Sequence, residues 1–208
     1  MSERVVIFGA GGHAKVVIEA IESAGHYHIA FLSDSNPNIT GTTLKGYAIR
    51  SVDDGQSFSD FGLSLGFVAV GNNKDRERIA SDVKQKGLAL VTVVHPAAMI
   101  STSAVLGAGT LIMPRSIINA DSTVGDNVII NSGAIIEHDC KIGDNAHVGP
   151  GATLCGGVTI GRGSLIGAGA IILPGVTIGN FVVVGAGAVV LSSIPEGTTN
   201  VGIPARKL

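Results

Sequence analysis

The stretch AIIEHDCKIGDNAHVG, residues 134–149, sets His138 between Glu137 and Asp139 and adds Cys140 and His147, inside sequence that is otherwise aliphatic and glycine. Imidazole gains and loses protons near neutral pH, so these histidines could carry the chemistry that the scaffold is built to hold. The alternative is that both histidines fill surface corners of a repetitive scaffold. A catalytic zinc needs three protein ligands and an open position, and the repeat supplies only His138 and His147, so metal chemistry is not expected. Cys140 and Cys155 read as small buried hydrophobes rather than redox or nucleophilic groups. A second group of candidates opens the chain: Gly9, Gly11, Gly12 and His13 of GAGGH, with Asp34 about twenty residues beyond, where a nucleotide-binding turn keeps its acid.

The element that must position the first group is a six-residue repeat. Stepping by six from Ile100 gives Leu106, Ile112, Ile118, Val124, Ile130, Ile136, Ile142, Val148, Leu154, Ile160, Ile166, Ile172, Ile178, Val184 and Val190 without a miss. Glycine often follows (Gly125, Gly143, Gly161, Gly179), and the residue two before is usually small, as at Ala134, Ala146, Ala152 and Ser164. Period six does not hold one face of a 3.6-residue helix, so an amphipathic helix is excluded. One aliphatic residue per hexad fills a narrow prism, glycine or asparagine turns the corners, and three hexads per coil make about five coils of parallel β-helix.

The second group belongs to a small α/β unit. RVVIFGAGGHAKVVIEAIESAG is an apolar strand, a glycine turn and a helix with Val16, Val17, Ala20, Ile21 and Ala24 on one face. HIAFLSDS is a second strand ending at Asp34, and GFVAVGNN is a third, ending in another glycine turn with Asn72 and Asn73 before a helix from about Lys74 to Lys86. About 94 residues precede the repeat, enough for one mononucleotide half but short of two, so NAD is disfavoured and half a dinucleotide is expected. His26 and His28 fall in the loop before the second strand. His95 precedes Pro96 where the two patterns meet and reads as structural. The expected domains are therefore 1–94 and 95–208.

Composition bounds the partners. The 208 residues carry a formal charge of −2, with no basic run, so nucleic acid and anionic membrane have little electrostatic basis as partners. No apolar run approaches the roughly 18 to 20 residues of a membrane span. Two cysteines make no disulfide framework, and MSERVVIFGAGG has no signal-peptide h-region, so a cytoplasmic protein is expected.

The order GAGGH, VAVGNN, VVHPAAMIS, IEHDC, HVGPGATLCGG and GIPARKL resembles, over nearly the whole chain, the hexapeptide-repeat sugar acyltransferases. The likeness is to the group that N-acetylates nucleotide-linked 4-amino sugars and its sialic acid O-acetyltransferase relatives. That resemblance implies a Rossmann-like N-terminal unit, a left-handed parallel β-helix and a homotrimer. It also implies acetyl-CoA as co-substrate and a nucleotide-linked amino sugar, UDP-linked by expectation, destined for bacterial surface glycan or glycoprotein. His138 then matches the family's base, with Asp139, one methylene shorter than the family's glutamate, or else Glu137, orienting it. His147, Gly156, Ala168 and Ala186 would meet acetyl-CoA, the Gly156 amide facing the acetyl oxygen as it becomes an oxyanion. Gly9, Gly11, Gly12, His13, Asp34, Asn72, Asn73 and Asn131 would meet the acceptor. Sialic acid O-acetylation and a non-catalytic nucleotide-sugar-binding role stay open at this point. A free sialic acid would need a carboxylate-binding cation that the sequence does not supply.

Overall fold

A computed structural model describes residues 3–51 and 58–208. The chain divides into two compact units, Met1–Val94 and His95–Leu208.

In the first unit β1 (Glu3–Phe8) enters the core over its last four residues, and α1 (Gly12–Ala24) lays Ala14, Val17, Ile18, Ala20 and Ile21 against the sheet. The helix stops at Gly25, whose left-handed backbone returns an N–H to the Ile21 carbonyl. β2 (Tyr27–Ser33) and β5 (Leu65–Val68) both pair in parallel with β1, on opposite sides. β3 (Thr43–Leu44), β4 (Tyr47–Arg50) and β6 (Ala89–Leu90) complete the order β3-β4-β2-β1-β5-β6. The chain thus leaves β1 toward one edge and returns on the other, which opens a crevice at the carboxyl ends of β1, β2 and β5. The polar α2 (Asn73–Gln85) follows the second glycine turn and buries Ala80 and Val83 against Phe8, Val68 and Leu90. Asn72 caps it, its side-chain oxygen accepting from Lys74 and Asp75 amides at 3.0 and 3.2 Å.

The second unit is the left-handed β-helix of hexapeptide repeats. Two-residue strands stack in parallel with the strand eighteen residues later, Ile129 on His147 on Leu165, and Ile135 on Thr153 on Ile171. The six-step residues point inward, and from Ile112 to Val190 all are almost wholly buried. The residue two before is buried as well, which is why Ala134, Cys140, Ala146 and Ser164 are small. The turn chemistry differs in one respect from the sequence reading. The glycine that follows the core residue is needed for close approach: a Cβ on Gly125 would lie 2.8 Å from the Asp144 amide nitrogen of the next coil. The left-handed backbone falls two residues later, at glycines such as Gly133 and Gly151, at Asp121, Asn127, Asp139 and Asn145, which tolerate it, and also at Arg115 and Phe181.

Candidate active site

His138 stands at the corner that follows the strand Ile135–Ile136, its side chain 64% exposed. Asp139 occupies the left-handed turn position at φ 60° and brings Oδ2 to 2.8 Å from His138 Nδ1. A carboxylate only accepts, so Nδ1 carries the ring proton and Nε2 of the neutral imidazole is the basic atom. This hydrogen bond, aided by the charges of Asp139 and Glu137, raises the His138 pKa above 6.5. Glu137 is engaged elsewhere, its Oε2 accepting from Asn119 Nδ2 at 3.0 Å. Gly156 lies one coil beyond at the same corner, against the ring edge: a Cβ there would sit 2.6 Å from His138 Nε2. The corner therefore pairs an oriented imidazole with the Gly156 backbone at its Nε2.

Asn131, His147, Ala168 and Ala186 group around the neighbouring corner. The Asn131 amide oxygen accepts from the Ser132 N–H, which turns its NH2 toward His147 Nε2 at 3.1 Å. An amide NH2 only donates, so His147 Nε2 accepts and the ring proton sits on Nδ1. Ala168 and Ala186 stack eighteen residues apart on this corner, the Ala168 carbonyl accepting from Gly187. A hexad of chain separates the two corners.

The crevice of the first unit is a cavity of about 250 Å³ lined by Gly9, Asp34, Ser35, Ser51, Arg78 and Lys86, among others. Asp34 Oδ2 accepts from the Ala10 amide at 2.8 Å and Oδ1 from Asn36, so the acid fixes the first glycine turn while facing the cavity. Gly11, Gly12, His13, Asn72 and Asn73 are not among the lining residues. Asn72 serves as the α2 cap, and Asn73 Oδ1 accepts from Arg76. His13 Nε2 is buried without a hydrogen-bond partner, and burial, followed by the nearby Arg76 charge, lowers its pKa. A neutral His13 brings no charge to a phosphate. Arg76 is 1% exposed and donates to the Val70 and Gly71 carbonyls at 3.3 and 3.1 Å. The sequence gives no means of separating it from the exposed Lys74 and Arg78 on the same polar helix.

His95 Nδ1 accepts from the Ala97 amide in a local turn. Cys140 Sγ donates to the Cys155 carbonyl at 3.2 Å, and burial pushes its thiol pKa up, away from nucleophilic use. Among the described residues there is no group of three or more potential metal ligands. No described helix is long and apolar enough to cross a membrane.

The PglD N-terminal domain matches residues 4–83, and the bacterial transferase hexapeptide (six repeats) matches four overlapping spans between 103 and 192. Perosamine N-acetyltransferase PerB of Caulobacter crescentus, solved with CoA and GDP-perosamine, is 40% identical with a TM-score of 0.92, over 98% of this chain and 96% of that one. The chain belongs to the hexapeptide-repeat sugar N-acetyltransferases. It is an acetyltransferase by that membership. The acetyltransferase domain of PglB from Neisseria gonorrhoeae FA1090, solved with acetyl coenzyme A, is 35% identical over the full length of both chains, with a TM-score of 0.88. UDP-N-acetylbacillosamine N-acetyltransferase of Bacillus subtilis (strain 168) is 38% identical over 110 residues, about half the length of each protein: 52% of this chain and 50% of that one.

Proposed function

We propose that this acetyltransferase moves the acetyl group of acetyl-CoA directly to the 4-amino group of a nucleoside-diphosphate-linked amino-deoxy sugar. The observation that carries the reading is the His138–Asp139 pair with Gly156 against the ring, in a chain similar from end to end to an enzyme solved with CoA and a nucleotide-linked amino sugar. The neutral amine attacks the thioester carbonyl, and His138 Nε2 takes the proton that develops on nitrogen as the tetrahedral intermediate forms. The intermediate collapses, breaking the carbon–sulfur bond and releasing CoA thiolate, to which the imidazolium returns its proton. The Gly156 amide stabilises the oxyanion. Asp34 and the glycine turns of the first unit hold the nucleotide; uracil is the base expected from the sequence, and the GDP-perosamine relative puts guanine beside it.

The site is completed between copies in a homotrimer. His138 with Gly156, and His147 with Asn131, Ala168 and Ala186, stand on different corners of one prism, and a neighbouring copy brings one set to the other. The outward side chains of one face run Met99, Ile117, Ile135, Thr153, Ile171 and Val189, whereas another carries Val105, Thr123, Lys141, Thr159 and Thr177. The first composition suits burial against a second copy and the second suits water. We place the reaction in the cytoplasm, supplying glycan assembly. The test is thiol release from acetyl-CoA against UDP-, GDP- and dTDP-linked 4-amino sugars and free sialic acid. Turnover confined to nucleotide-linked amines is expected, and turnover on sialic acid alone, or on none, overturns the reading.

A further inference from the structure

Resting on the nucleotide-sugar reading of the first unit, we infer that Arg76 is a positioning residue for the acceptor's diphosphate, acting through the second glycine turn rather than by touching the ligand. The guanidinium is buried beneath that turn, and three acceptors converge on it: the Val70 and Gly71 carbonyls and Asn73 Oδ1 at 2.9 Å. In a trans peptide the C=O and the following N–H point in opposite directions. Drawing the carbonyls of Val70 and Gly71 onto the guanidinium therefore turns the N–H groups of Gly71 and Asn72 away from it. Two successive amides aimed outward make an anion-binding concavity.

The first turn abuts the second, which joins the two into one device. A Cβ on Gly9, at φ +101°, would fall 2.9 Å from Val70 Cγ2 and 3.2 Å from the Ala69 carbonyl oxygen, so only glycine allows this approach. The positive charge beneath is also retained. Burial pushes the Arg76 pKa down only to about 10, so the group stays cationic at neutral pH. GAGGH and VGNN themselves carry no lysine or arginine; Arg78 and Lys86 line the crevice, and the buried guanidinium adds a charge beneath the turn without entering it.

The probes are UDP and GDP, measured by calorimetry on the full chain beside uridine and guanosine. Arg76→Met should weaken diphosphate binding at least tenfold, leave nucleoside binding within about threefold, and raise the acceptor KM while the acetyl-CoA KM stays put. Because emptying a buried cation site can cost stability, Arg76→Lys carries the test independently. A buried lysine loses its proton well below its usual pKa of about 10.4, so this variant should hold UDP or GDP at pH 7.5 and release it progressively toward pH 9.5. Wild type, whose Arg76 pKa lies near 10, sets the baseline, and the loss in Arg76→Lys should begin at lower pH and exceed it. His13, the titratable group facing Arg76 from α1, has a lowered pKa and is neutral throughout, and Asp75 and Glu77 are the sequence neighbours of Arg76 on α2. Diphosphate affinity unchanged in Arg76→Met, or a pH-independent loss in Arg76→Lys, overturns the inference. A wild-type protein that binds neither UDP nor GDP overturns the acceptor reading itself, and with it this one.

Discussion

Gly156→Ala tests the active site with a single methyl group. The added Cβ would sit 2.6 Å from His138 Nε2 and 2.7 Å from Cε1, and its third neighbour is also a His138 ring atom. An ordinary contact begins near 3.4 Å, so the imidazole must retreat by about 0.8 Å. Because the His138 side chain is 64% exposed, it can swing into solvent without disturbing the core. Melting temperature should therefore stay within about 2 °C of wild type. Catalysis depends on where Nε2 lies, and a misplacement of about 1 Å can cost about 10²-fold. We expect kcat in the thiol-release assay to fall about 10²-fold with acetyl-CoA binding little changed. His138→Ala should cost 10²–10⁴-fold, the usual range for a positioned base. Since both variants act on one group, the double variant should be no worse than His138→Ala alone. A kcat for Gly156→Ala within threefold of wild type would refute the steric reasoning. An additive double variant would show that the alanine acts on something other than the imidazole, such as the amide aimed at the oxyanion.

Because His138 must be neutral to accept a proton and its pKa is raised by Asp139, kcat/KM should climb with pH through a midpoint above 6.5; Asp139→Asn should move that midpoint down and lower the plateau, as a pH–rate series would show. His13 behaves with the opposite sign. Its folded pKa is lowered, so the stability it contributes is present above about 6.5 and lost as pH falls through the lowered value. Melting curves from pH 7.5 to 5 should show that acid loss diminished in His13→Gln. Asn72→Ala removes the α2 cap and should cost about 1 kcal/mol in a denaturant titration. Ile136→Ala, at a fully buried core position of the prism, should cost about 2–5 kcal/mol.

The repeat was legible because a prism three hexads around admits one inward aliphatic residue per side, so fold and sequence share one period with no slack. The first unit was legible for a related reason, since GAGGH sits between an apolar strand and a helix face, and Asp34 ends the next strand. What lay beyond the sequence was contact between coils. Residues eighteen apart stack, and nothing in either local stretch says that Gly156 will lie against the His138 ring, or that Asn119 will draw Glu137 away from it. Arg76 escaped for another reason: burial, not residue type, separates it from its helical neighbours. Asp139 shows how backbone and chemistry meet. Its position recurs every six residues as a left-handed turn, filled elsewhere mostly by glycine, as at Gly133 and Gly151, by Asn145, and in two coils by Arg115 and Phe181. An aspartate both tolerates φ 60° and, from that backbone, reaches Nδ1 of the preceding residue at 2.8 Å. The turn that closes the corner is thereby the same feature that orients the imidazole.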